Sequence, residues 1–173
     1  MSRRIAFGGI LTALCVVLIY FAALLPSGKL GLYALASVTI AIAVVELDIR
    51  WGAVVYGGSS ILIFLLTGNI NAMLLFTIFF GSYPLLKYYI EKQSSVVTEL
   101  LLKFTVFNLL AVLGFFVFKL LFGISPINLA GYTVWILLGV ILGGQVVFLI
   151  YDYVLSRLIN YYISRIKAGI HRQ

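Results

Sequence analysis

Long apolar runs, separated by short polar interruptions, fill almost the whole chain. The first, from Ile5 to Leu25, closes at Pro26-Ser27-Gly28-Lys29. Further breaks fall at Glu46-Leu47-Asp48-Ile49-Arg50, Gly68-Asn69, Glu91-Lys92-Gln93-Ser94-Ser95 and Gly123-Ile124-Ser125-Pro126-Ile127-Asn128. Crossing about 30 Å of hydrocarbon takes roughly 20 apolar residues as a helix. Only helices and closed barrels satisfy their backbone groups in lipid, and barrel strands would read as alternating segments of about ten residues. The runs here are continuous. They predict an all-α integral membrane protein with helices near 5–25, 30–46, 51–67, 71–90, 96–122 and 132–163, a six-helix bundle forming a single transmembrane domain over 1–173. The last run exceeds what a bilayer needs, so its end is expected to emerge as a short amphipathic extension. Pro84, following Gly81-Ser82-Tyr83, removes a helical hydrogen bond and is expected to kink the fourth helix.

Composition excludes a water-soluble fold. Hydrophobic residues make up 64% of the 173 and charged residues 10%, with a mean hydropathy of +1.19. A soluble domain carries about 25% charge and needs a polar exterior. The basic opening Met1-Ser2-Arg3-Arg4 ahead of an apolar run has the look of a secretory signal. That run is 21 residues long, however, and no Ala-x-Ala site follows it, so it reads as a retained first helix.

Charge then sets orientation, because Lys and Arg in short loops concentrate on the cytoplasmic side. With both termini inside, that side holds Arg3, Arg4, Arg50, Lys87, Lys92, Lys103, Arg157, Arg165, Lys167 and Arg172, against Lys29 and Lys119 outside. The five acids also fall toward the inside. The net charge of +7 is thereby explained by topology in a cell membrane with anionic lipid, without nucleic acid. Gln93 and Gln173 are expected inside, Asn69 and Asn128 outside.

Chemistry is sparse. Cys15 is the only cysteine and His171 the only histidine, so no disulfide, metal site or cofactor is expected. There is no nucleophile–base pair, phosphate loop or HExxH, and no enzyme activity is expected. Asp152 lies about 30 Å of helix beyond Tyr132, close to the level of Lys103. That depth favours a buried Asp152–Lys103 pair locking two helices over a proton-coupling carboxylate. Asn108 and Gln145 sit deeper and must find partners in hydrocarbon, either in each other's helices or at the floor of a ligand pocket. The outer rim gathers Lys29, Asn71, Asn128, Tyr132 and Trp135, with Gln145 below, as candidate ligand-binding residues. Phe76, Phe79, Phe80, Phe115, Phe116 and Phe118 lie nearby on the fourth and fifth helices.

Small residues occupy one face of the first helix at Ala6, Gly9 and Ala13, with Gly8 and Thr12 beside them. Such faces admit close helix–helix approach. The basic opening, this face and the six-helix layout together resemble the substrate-binding S-components of energy-coupling factor (ECF) transporters. In that family an Ala-x-x-x-Ala pattern on the first helix meets a transmembrane coupling subunit. Here Gly9-x-x-x-Ala13 stands in the matching place, Gly replacing the first Ala. The resemblance implies capture of a small molecule such as a vitamin from outside, with ATP hydrolysis left to two cytoplasmic ATPases. The same layout is similar to that of the bacterial shape-determining MreD proteins, which implies instead a scaffold or lipid-interacting role. A capture protein needs a closed pocket with convergent polar groups, whereas a scaffold needs only an apolar groove.

Overall fold

A computed structural model describes residues 2–93, 95–123 and 134–167, the last span with side chains at 139 and 141–164. Six helices in it are long and apolar enough to cross a membrane, and the described residues contain no strand. They are α1 (Ser2–Leu24), α2 (Lys29–Leu47), α3 (Ile49–Thr67), α4 (Ile70–Ile90), α5 (Val96–Phe122) and α6 (Val134–Tyr161). The chain continues beyond α6 as a π-helical segment, Tyr162–Lys167.

Among the described residues, the connections from α1 to α5 are as short as the sequence breaks imply. Gly68 and Gly123 close α3 and α5 in the left-handed conformation, each donating its N–H back to the carbonyl four residues earlier. That is the usual glycine stop, since Cβ disfavours positive φ. Between α2 and α3 the break shrinks to one residue. Asp48 has φ 124° and ψ 161°, a region essentially reserved for glycine, and the Gly52 N–H donates to its carbonyl at 2.9 Å. The strain is what lets two helices meet at an abrupt corner.

The first three helices form a compact trio. Leu11, Cys15, Val16, Ile19 and Ala22 of α1 interlock with Tyr33, Ala36, Ile40 and Ala43 of α2 and with Val55 and Ile63 of α3. Lipid tails are as apolar as leucine, so this packing must come from close contact, which small residues permit. Gly8 faces Val55 and Leu47, and a Cβ on Gly52 would run into Val44. The small-residue face of α1 is thus divided. Gly8, Cys15 and, in part, Thr12 turn inward, whereas Ala6, Gly9 and Ala13 are exposed.

α4 packs across α2 and α3, α6 crosses α2, and α5 lies against α4. The expected disturbance at Pro84 takes the form of a π-helical turn, Phe76–Gly81, just ahead of it. Proline has no N–H to return to the preceding turn, and a wider turn redistributes the orphaned carbonyls. Two hydroxyls also bond to carbonyls of this turn. Tyr56 OH donates to the Thr77 carbonyl at 2.9 Å, and Ser82 Oγ to the Ile78 carbonyl at 2.5 Å. Gly81 is required by its neighbours, because a Cβ there would sit 2.8 Å from the Tyr56 ring.

Candidate functional site

Near the end where α4 turns into α5, three helices bring their charges to one carboxylate. Asp152 Oδ1 accepts from Tyr83 OH at 2.7 Å and from the Lys87 ammonium, while Oδ2 accepts from Lys103 Nζ at 2.8 Å. Lys87 also donates to Ser156 Oγ and pairs with Glu91 Oε1, each at 2.8 Å, and Lys103 pairs with Glu99 Oε1 at 2.6 Å. Lys87 is 2% exposed and Asp152 8%. Buried ions are tolerated only when their remaining donors and acceptors are satisfied, and both oxygens of Asp152 are used here.

The sequence builds this cluster by symmetry. Lys87 and Glu91 are one helical turn apart, as are Glu99 and Lys103, so each pair shares a helix face. The two pairs are mirror-spaced about Ser95, where the chain reverses. Folding the α4–α5 hairpin therefore carries both lysines inward to one depth, with a glutamate above each. α6 supplies Asp152 at that depth and Ser156 one turn on. The expected Asp152–Lys103 pair is present. Lys87 is the addition: a residue counted only among the basic charges of the cytoplasmic side is buried in the cluster.

Tyr83 connects the cluster to an apolar chamber. Its hydroxyl meets Asp152, and its ring packs edge-on against Phe148 at 5.1 Å and beside Tyr151 at 5.5 Å. Phe107 stacks on Phe148 at 4.5 Å, and Phe80 meets Tyr151 edge-on at 5.1 Å. These rings, with Gly144, line a half-open chamber of about 260 Å³ between α4, α5 and α6. A second space of about 470 Å³ continues along α4 and α5, bounded by Asn71, Ile78, Ala111, Gly114 and Phe118. The two share Leu75 and Phe79, so they lie end to end. A Cβ on Gly114 would lie 3.1 Å from the Phe79 ring, which explains why glycine stands opposite that partition. Adjacent residues Phe79 and Phe80 both face the chamber from within the π turn.

Of the expected rim residues, Lys29, Asn71 and Gln145 have described side chains. Lys29 is exposed at the start of α2, and Asn71 is exposed in the first turn of α4, where it borders the outer space. Gln145 is half-buried on α6 and donates from Nε2 to Asn108 Oδ1 at 2.9 Å, while Asn108 Nδ2 donates to the Phe104 carbonyl at 2.8 Å. This is an interhelical amide contact. Asn128 and Tyr132 fall outside the described residues, and Trp135 lies in α6 with its side chain outside them. Among the aromatics, Phe79, Phe115 and Phe118 border the outer space, Phe76 is buried against the trio, and Phe116 is exposed. Among the described residues no group of His, Cys, Asp and Glu could hold a metal.

Compared with protein-family models, with curated proteins and with solved structures, the chain matches none.

Proposed function

We propose that this chain is a membrane-embedded capture subunit that binds a small molecule in the chamber between α4, α5 and α6, in the manner of an ECF S-component. The observation that carries the reading is the chamber itself: an aromatic-walled space within one bundle, tied through Tyr83 to a buried ion cluster. The chain binds its ligand and does not transform it. Both termini lie on the cytoplasmic side of the cell membrane. With Lys87 and Lys103 withdrawn into the cluster, the asymmetry of basic residues still stands at eight against two. The exposed Ala6, Gly9 and Ala13 face of α1 is available to a transmembrane coupling subunit, which in turn engages cytoplasmic ATPases.

One observation favours the second reading, a scaffold or lipid-interacting protein of the MreD-like kind. The described chamber walls are hydrocarbon and aromatic, without convergent amides. Native mass spectrometry after gentle extraction separates the two. Capture predicts a stoichiometric small molecule together with ATPase partners, and Gly9→Leu with Ala13→Leu should release the partners from a folded chain. A chain that carries only lipid, with no small molecule and no ATPase partner for those variants to release, overturns capture.

A further inference from the structure

Two features of the inner and outer spaces specify what fits them. The first is shape. Both lie along α4, and from Asn71 at one end to Tyr83 at the other is twelve residues, about 18 Å of helix. The bilayer's hydrocarbon half-thickness is about 15 Å, so this trough runs from the membrane boundary to just past its midplane. That is the path of a lipid tail in one leaflet. The second is polarity. Along the trough the amide of Asn71 stands at the boundary end, Leu75, Ile78, Phe79 and Ala111 follow, and the inner end is aromatic. A ligand matching this order has one polar end and one long hydrocarbon chain.

The trough is also open to the place such a chain would come from. Leu75, Ile78, Phe79, Ala111 and Gly114 are partly exposed along its wall, and Val147 is exposed at its inner end. Water entering there would find few hydrogen-bonding partners, and an apolar site of this size holds hydrocarbon in preference to water. Gly114 and Gly144 keep the walls apart at the two levels where a larger side chain would fill the space.

We infer that the trough binds the single long alkyl chain of an amphiphile, its polar end at Asn71 and its tail end against Phe107 and Phe148. The inference rests on the capture reading for the site and names the class of ligand it takes. A bilayer lipid and an imported amphiphile share this chemistry.

The test uses the full chain in liposomes containing either a phosphatidylglycerol or a free fatty acid with a diazirine near the tail end. Photolysis is followed by mapping the labelled residues. Label is expected on Phe79, Phe107 and Phe148 severalfold above lipid-facing Leu101 and Leu142, with the preferred probe identifying the source. Ala111→Phe, at a half-exposed wall position, should remove the trough label while leaving Leu101 and Leu142 labelled. Gly144→Leu, inside the chamber, should do the same for Phe148 and guards against a folding defect in the first variant. Even labelling of all exposed faces, or trough labelling unchanged by both variants, overturns the inference. A co-purified molecule without an alkyl chain, displaced by the same variants, overturns it too but leaves capture intact. Tail labelling without ATPase partners supports the inference for this site and overturns only its coupling to an importer.

Discussion

Half of the most apolar window of α2 is buried inside the bundle, whereas in α5 the share is 11%. The two ends of the molecule are assembled by different means. In the trio of α1, α2 and α3, Ala36, Ala43, Gly8 and Gly52 bring backbones together, and contact along whole helix faces does the joining. In α4, α5 and α6, apolar contact is thin on one side and interrupted by the trough. There one carboxylate draws in two lysines and a tyrosine. Lipid supplies no hydrophobic force between helices, so a bundle needs close packing, polar attachment or both. The difference shows how a single chain can keep a rigid half and a half with room inside it.

Four expected outcomes test this contrast, beginning with the largest. Asp152→Leu leaves two buried ammoniums without their carboxylate and should cost about 3–5 kcal/mol. Adding Lys87→Met and Lys103→Met should restore most of that loss, since an apolar replacement of a buried ion cluster is often neutral or better. Thermal unfolding in nanodiscs measures both, and a single variant as stable as the parent would mean the ions do not join these helices. Next comes Gly52→Ala, whose new methyl meets Val44. Overpacking of this kind should cost about 1–3 kcal/mol, while Gly143→Ala on α6, with nothing within 4 Å, should cost nothing. Equal losses at the two glycines would erase the distinction between the halves.

Relief of the corner at Asp48 should follow in size. Asp48→Gly removes a residue from a glycine-only conformation and should stabilise the trio by about 1 kcal/mol. A neutral or negative result in the same melting assay would show that the corner carries no strain. Smallest is Asn108→Leu, which removes the amide contact to Gln145. Intramembrane hydrogen bonds average about 0.6 kcal/mol, so the midpoint should barely move. A large drop would promote this pair to a second attachment between α5 and α6.

Legibility in the sequence followed the strength of the physical constraint. The bilayer imposes a length, so six apolar helices could be read from runs and breaks alone. The Asp152–Lys103 pair was readable from depth, because an unpaired charge there has no outlet. Lys87 was missed because it stands three residues from the end of α4, where lysines commonly reach headgroups. The mirror spacing of Lys87, Glu91, Glu99 and Lys103 about Ser95 was the available signal. The trough could not be read. Which face of α4 meets α5 depends on the π turn, and nothing in hydropathy distinguishes Phe79 bordering a cavity from Phe76 buried in the trio. For the same reason the rim amides could be placed at one membrane level but not on one wall.

The charge cluster also has an order in time. A chain is made from its N-terminus, and Asp152 follows Lys103 by 49 residues. While α6 is still unmade, Lys87 and Lys103 already have Glu91 and Glu99 one turn away on their own helices. These local pairs can balance the hairpin's charges until α6 arrives with the carboxylate that joins them. The glutamates are then the first partners the lysines meet, and they stay in the finished cluster beside Asp152. A chain halted before Val134 should leave both lysines open to an amine-reactive reagent, and completing α6 should protect them.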